Sequence, residues 1–369
     1  MQGDRGRGGG QRRGGGPHPD RPDSGPAGDC IDLRSDTLTR PTSAMYARIA
    51  AAPLGDDGLG RDPTARALEE AGAALLGKEA ALYLPSCTMA NLVATLCQAG
   101  RQEQVVLEAQ SHMYTAEWGA ATFTGTFPLG IAGTEGAMDL QRLADVLRPG
   151  GSSLRTGLIG LETTHNNAGG TVPSLDHMRA VRTMALAAGI PVHLDGARLL
   201  NAAVHLGVPA SDIAAEVDTV SLCLSKGLSA PMGALLAGPA ALIAEARRLR
   251  KMLGGTQRQV GIAAAAGLEA LATMGDRLGQ DHARARRLGA GLNGLGPALS
   301  ASIPQTNIVQ VDLSRSGRDS AVWLGMLETQ GVLARPLGLC RLRLVTHRHI
   351  DDDAVAAAIQ AFGACLARG

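Results

Sequence analysis

From residue 30 onward, short apolar runs alternate with longer stretches in which apolar positions recur every three or four residues. That alternation predicts strands joined by crossover helices, and so a mainly parallel α/β sheet. Strands are expected at Ala80–Leu84, Glu103–Leu107, Thr156–Glu162, Pro191–Asp195, Thr219–Leu224 and Gly233–Ala237. Helical periodicity runs through Pro63–Leu76, Met89–Gln98, Leu140–Val146, Ser174–Ala188 and Pro239–Ala272, the last interrupted by Gly254, Gly255 and Gly261. After about Gly275 the order changes. A basic helix (Asp276–Leu292) leads into Ile308–Leu313, Ala321–Thr329, Arg341–Thr346 and a closing helix from Asp351. A large domain over residues 30–275 and a smaller α+β domain over 276–369 are therefore expected.

Residues 1–29 break the pattern, with ten glycines, four prolines, five arginines, four aspartates and almost nothing apolar. Such a segment cannot offset its ordering entropy, and a disordered extension is expected. It has no apolar h-region, and it is neither acid-poor nor amphipathic as mitochondrial presequences are. A cytoplasmic protein is the expectation, with a transit role for this segment as the alternative.

Charge and composition narrow the function classes. With 35 basic and 34 acidic residues the net charge is +1, which gives neither nucleic acid nor an anionic membrane a footprint. No uncharged apolar run approaches about 18 residues, so no membrane span is expected. The six cysteines (Cys30, Cys87, Cys97, Cys223, Cys340 and Cys365) show neither C-x-x-C nor metal-ligand spacing. That argues for a reduced, intracellular protein without disulfides or a structural metal. Only Lys78, Lys226 and Lys251 among the basic residues are lysines, so lysine chemistry has few candidates.

Open α/β sheets place their sites at the carboxyl ends of strands, which selects four regions. Ser86, Cys87 and Thr88 lie between a strand and a helix, as a phosphate cradle or as a plain N-cap. Asp195 ends an apolar strand, awaiting either a ligand's cation or Arg198, three residues on. Lys226 is the one lysine that ends a strand, and it suits Schiff-base chemistry. His112 and His165 gain weight only if the other three converge. They do: a cradle, a strand-end acid and a strand-end lysine, in that order, are the needs of pyridoxal 5′-phosphate.

The runs Ile31–Pro41, Gly55-Asp56-Asp57, Leu194–Arg198 and Leu224–Leu228 resemble those of the low-specificity L-threonine aldolases, from Ile31 to the C-terminus. The resemblance implies a fold-type I architecture, with a mainly parallel seven-stranded sheet and a smaller C-terminal domain. It implies retro-aldol cleavage of threonine or allo-threonine to glycine and acetaldehyde. Lys226 would carry the cofactor, His112 would stack on its ring, and His165 would stand near the β-hydroxyl. Ser35, Arg198 and Arg343 would bind the substrate carboxylate. A dimer of dimers is implied, with Arg258 sent into a neighbour's phosphate site. The chain departs from the family pattern at Cys87 (usually Gly), Leu59 (commonly Tyr), Thr163 (usually Asn), Thr256 and Gln257. The alternatives are another reaction on the same cofactor, such as elimination or transamination, and a non-catalytic homologue acting as an oligomeric binding protein.

Overall fold

The computed structural model describes residues 30–117, 119–148 and 154–367; the extension expected over residues 1–29 lies outside them. The main sheet has seven strands: β1 (Ala80–Leu84), β2 (Gln104–Glu108), β3 (Phe127–Ile131), β4 (Thr156–Glu162), β5 (Val192–Gly196), β6 (Thr219–Cys223) and β7 (Ala234–Gly238). Their order is β1-β7-β6-β5-β4-β2-β3. Strand β7 runs antiparallel to β1 and β6, and every other adjacent pair is parallel. Alternate residues of β1 and β7 enter different apolar clusters. Tyr83 and Leu235 join one, while Leu82, Leu84 and Leu236 join the other. Both faces are thus covered, which is why these strands read as unbroken apolar runs.

Six strands and the helices Pro63–Leu76, Cys87–Gln98, Leu140–Leu147 and Leu175–Ala188 fall where the periodicity puts them, within a residue at most ends. The helices Leu199–Leu206 and Ala210–Ala214, between β5 and β6, were not anticipated. Strand β3 was not anticipated. It contains Pro128 and Gly130 and sits at the sheet edge with β2 as its one partner, so it needs neither a full ladder nor two buried faces. The long periodic stretch from Pro239 resolves into two helices, Ala240–Met252 and Gly261–Thr273, and Gly254 takes a left-handed φ of 76° in the break.

A second, antiparallel sheet of four strands follows: β8 (Ser300–Ala301), β9 (Ile308–Asp312), β10 (Arg335–Pro336) and β11 (Arg341–Val345), in the order β8-β9-β11-β10. Its core includes Trp323 stacked on Phe362 at 5.6 Å. Leu33 belongs to that same core, and Ile31–Asp32 pair in parallel with Val332–Leu333. The N-terminal segment carrying Ser35 and Asp36 is thereby pinned to the C-terminal part of the chain, over the carboxyl ends of the main strands. No described helix is long and apolar enough to cross a membrane.

Candidate active site

Strands β4, β5 and β6 end side by side, with Glu162 in register with Asp195, and Asp195 with Ser221. Beyond these ends lies a cavity of about 190 Å³. Lys226, Asp195, Glu162 and His112 line it on the sheet side; Ser35, Asn166, Arg198, Arg335 and Arg343 complete it.

Lys226 follows β6 in a tight turn. Its carbonyl accepts from the Thr39 hydroxyl at 2.6 Å and from the Ser229 N–H at 2.9 Å. Ser229 holds φ at 63°, unusual for a side-chain-bearing residue. The Lys226 amine makes no hydrogen bond or ion pair among the described residues, and it faces the cavity. Asp195 is 2% exposed. It accepts from the Ala197 N–H (3.1 Å) and from Asn91 Nδ2 (3.0 Å), and no described lysine or arginine pairs with it.

The local alternative, Arg198 as partner of Asp195, is therefore not realised. Arg198 forms a two-pronged pair with buried Asp36, with Nε–Oδ2 and Nη2–Oδ1 both at 2.7 Å. Burial pushes the Asp36 carboxyl up, yet Arg198 and its hydrogen bonds hold it well below the usual carboxylate range. Only Arg198 Nη1 is left over, 3.3 Å from Asn166 Oδ1. Arg343 is less committed. Its Nη1 donates to Asn166 Oδ1 (2.8 Å), its Nη2 to the Arg34 carbonyl (3.2 Å), and its buried Nε has no partner among the described residues. Burial, then the charges of Arg198 and Arg335, lower its pKa to about 10. Ser35 caps a short 3-10 turn, its hydroxyl accepting from the Thr37 N–H at 3.2 Å and the Thr37 hydroxyl at 2.9 Å.

The two histidines separate sharply. His112 lines the cavity with its side chain 39% exposed, and its Nδ1 lies 2.7 Å from Glu117 Oε1. That hydrogen bond raises the His112 pKa against the opposing effect of burial. His165 is fully buried and does not line the cavity. Its Nε2 lies 2.8 Å from Glu108 Oε2, and its Nδ1 accepts from the Ala168 N–H at 3.2 Å. Both ring nitrogens are spent on protein partners, and neither is offered to the cavity.

The cradle residues sit at the start of the helix Cys87–Gln98, where Ser86 caps the Met89 N–H at 3.2 Å and both Ser86 and Thr88 are exposed. Cys87 is not among the described side-chain-bearing residues with positive φ, so a residue other than glycine costs no backbone strain there. Burial, then the nearby Asp195 carboxylate, push its thiol well up. Leu59 is 70% exposed, and Thr163 is buried with its hydroxyl unpartnered among the described residues. Arg258 is exposed, pairs with Asp56 alone among the described residues (3.5 Å), and borders a hollow of about 350 Å³ with Gln257, Met232 and Ile262. It does not reach the cavity of its own chain.

Several groups around the cavity were not anticipated: Asp36, Asn91, Glu108, Glu117, Glu162 and Asn166. Glu108 and Glu162 carried the same signal as Asp195, an acid ending a buried strand. The others act across more than 20 residues of chain or from a loop, and no local pattern marks them. His112, Glu117 and Asp195 also bring one ligand atom each within 4.8 Å of one another. Asn91 Nδ2 already donates to both carboxylates, so this cluster is hydrogen-bonded as it stands.

A family model described as beta-eliminating lyase matches residues 32–316, which places the site in that class of enzymes. The low-specificity L-threonine aldolase 1 of Arabidopsis thaliana is 40% identical over 340 residues, 90% of this chain and 95% of that protein. The low specificity L-threonine aldolase of Escherichia coli K12 is 39% identical over 344 residues, 92% of this chain and 100% of that protein. The solved threonine aldolase of Leishmania major superposes with a TM-score of 0.78 at 19% identity, over 91% of this chain and 99% of that one. The chain belongs to the beta-eliminating lyase family, in its low-specificity L-threonine aldolase group, and its seven-stranded sheet is the fold-type I arrangement.

Proposed function

We propose that the cavity binds pyridoxal 5′-phosphate and cleaves L-threonine, L-allo-threonine and related 3-hydroxy amino acids to glycine and an aldehyde. One observation carries the reading. An unpartnered lysine amine and a buried carboxylate without a cation face the same cavity, and a guanidinium with free donors stands across from them. The residues fit the cofactor on that ground: the amine for its carbonyl, the carboxylate for its protonated pyridine nitrogen, and the Ser86–Thr88 helix start for its phosphate. When bound, the cofactor supplies the electron sink for the Cα–Cβ bond.

The chain's own residues do the rest. Arg343, with Ser35 and the remaining nitrogen of Arg198, holds the substrate carboxylate; a guanidinium fork suits that geometry. Asp36 immobilises Arg198, so Arg343 carries the larger share. Glu117 fixes His112 through Nδ1, leaving Nε2 to face the cavity and take the hydroxyl proton as the carbon–carbon bond breaks. Cα then takes up a proton, which balances the release of glycine. His165, locked by Glu108, is a positioning residue for the loop carrying Asn166 and Asn167.

The exposed Arg258 beside an apolar hollow supports a homotetramer in which that arginine serves a neighbour's phosphate site. The two apolar cores support a division at about residue 275, and the cysteine spacing, without C-x-x-C, suits a cytoplasmic setting. Equal amounts of glycine and acetaldehyde from threonine, lost on the order of a thousandfold in Lys226→Ala, test the reading. Ammonia with a keto acid as products would overturn it.

A further inference from the structure

Asn91, on the helix Cys87–Gln98, has its side-chain nitrogen among three carboxylate oxygens: Asp195 Oδ2 at 3.0 Å and Glu117 Oε1 and Oε2 at 3.1 and 3.2 Å. That settles which end of the amide is which, because the opposite orientation would set its oxygen against all three. Asn91 Oδ1 must then accept from both of its remaining neighbours, His193 Nε2 at 3.0 Å and the Ser221 hydroxyl at 2.8 Å.

Each neighbour is itself driven from behind. If His193 donates through Nε2, its neutral ring accepts at Nδ1, where the Thr219 hydroxyl stands at 2.9 Å. Thr219 Oγ1 in turn accepts from Gln98 Nε2 at 3.0 Å. On the other side, Ser221 Oγ accepts from the Cys87 thiol at 3.4 Å. Two chains of donors therefore converge on one amide oxygen, and the amide nitrogen is left facing the carboxylates of Asp195 and Glu117. Doubly protonated His193 would still donate through Nε2 but would have nothing to accept with at Nδ1, which would turn the Thr219 hydroxyl round. Burial keeps that form away by lowering the His193 pKa to about 4. His193 and Asp195 are alternate residues of β5, so they share the sheet face against which this helix packs.

We propose that Asn91 and His193 are positioning residues for the cofactor. Their one-way hydrogen-bond chains fix the Asn91 amide donor-first against Asp195 and aim that carboxylate at the pyridine nitrogen. Neutral donors can orient a carboxylate without cancelling the charge that the pyridine nitrogen needs, and aligned hydrogen bonds reinforce one another. The inference rests on the proposed cofactor reading.

The test measures cofactor loss from the diluted holoenzyme and the visible absorption of the bound cofactor, with thermal melting of cofactor-free protein as the folding control. Asn91→Leu is expected to weaken cofactor retention about tenfold or more and to shift the absorption band, since a hydrogen bond to a charged group is lost. His193→Leu should produce a smaller loss of the same kind. His193→Gln, whose amide N–H can replace the ring donor, should recover to within about threefold of wild type. Should Asn91→Leu fail to fold, the His193 pair decides the matter alone. A His193→Leu or Asn91→Leu holoenzyme with wild-type retention and spectrum overturns the inference. So does a His193→Gln protein no better than His193→Leu. Wild-type protein that takes up no cofactor overturns the underlying reading instead.

Discussion

Asp36 and Asp195 are both buried carboxylates at one cavity, and the protein treats them in opposite ways. Asp36 receives the full fork of Arg198 and a weaker contact from Asn307 Nδ2 at 3.3 Å. Asp195 receives a backbone N–H, an amide and, at 3.9 Å, the Cys87 thiol, all neutral. Burying a carboxylate is costly, and an ion pair with well-placed hydrogen bonds is the usual compensation. A site that withholds the cation leaves the remainder of that compensation to a ligand. Arg198 lies three residues from Asp195 in the chain and is spent on an aspartate 162 residues away. Asp36 is thus a fixed part of the scaffold, whereas Asp195 is held open.

The same substitution at the two positions tests that contrast most strongly. Asp36→Asn leaves the Arg198 guanidinium buried without its partner, so a loss of about 3–5 kcal/mol in folding stability is expected by denaturant titration. Asp195→Asn strands no cation; its stability should change by no more than about 1–2 kcal/mol, while cofactor retention and glycine release collapse. Equal stability losses at both positions would mean that Asp195 has an internal cation after all.

The difference between these aspartates also shows what the sequence could carry. Lys226 and Asp195 were legible because each ends a run of apolar residues, and a charged group at that place in a parallel sheet has few structural uses. The strands β1 and β4 were legible to the residue, because burial on both faces leaves uninterrupted apolar runs with polar ends. The Asp36–Arg198 pair was not legible, since nothing local to Ile31–Pro41 says which distant cation folds over it. The histidines were equal on paper. They part in space because Glu108 and the Ala168 N–H consume both nitrogens of His165, and a sequence does not show how many of a side chain's partners are internal.

Acid should reach the neutral-donor side of the cavity first. His193 is uncharged in the fold down to about pH 4, while in the unfolded chain it takes up a proton near 6.5. Stability is therefore unaffected by this group above about 6.5, and it declines as pH falls toward 4, by up to about 3 kcal/mol. His193→Gln, which cannot titrate, should flatten that part of the stability profile. A wild-type profile that is flat between pH 7 and 4 would remove His193 from the buried network.

A smaller effect is expected at the cavity wall. Glu117 raises the His112 pKa, so the unprotonated ring that accepts the hydroxyl proton is available only toward higher pH. In Glu117→Gln the charge is gone and the His112 pKa falls. The acid limb of the kcat/KM profile should then move to lower pH, while a limb that stays in place would assign the proton to another group.

The smallest effect should come from Cys87→Gly, although this is the most conspicuous departure from the family's cradle. Its backbone is not left-handed, so the glycine form gains no relief from strain. What the change removes is one weak thiol donor shared between Ser221 (3.4 Å) and Asp195 (3.9 Å), and what it adds is the backbone entropy of a glycine in the first turn of a helix. A stability loss of about 1 kcal/mol or less is expected, with cofactor affinity altered less than about threefold. A tenfold or greater gain in affinity would show that the thiol obstructs the phosphate. Asp195 would then sit beside a partly blocked cradle, and Cys87 would no longer count among the neutral donors that serve it.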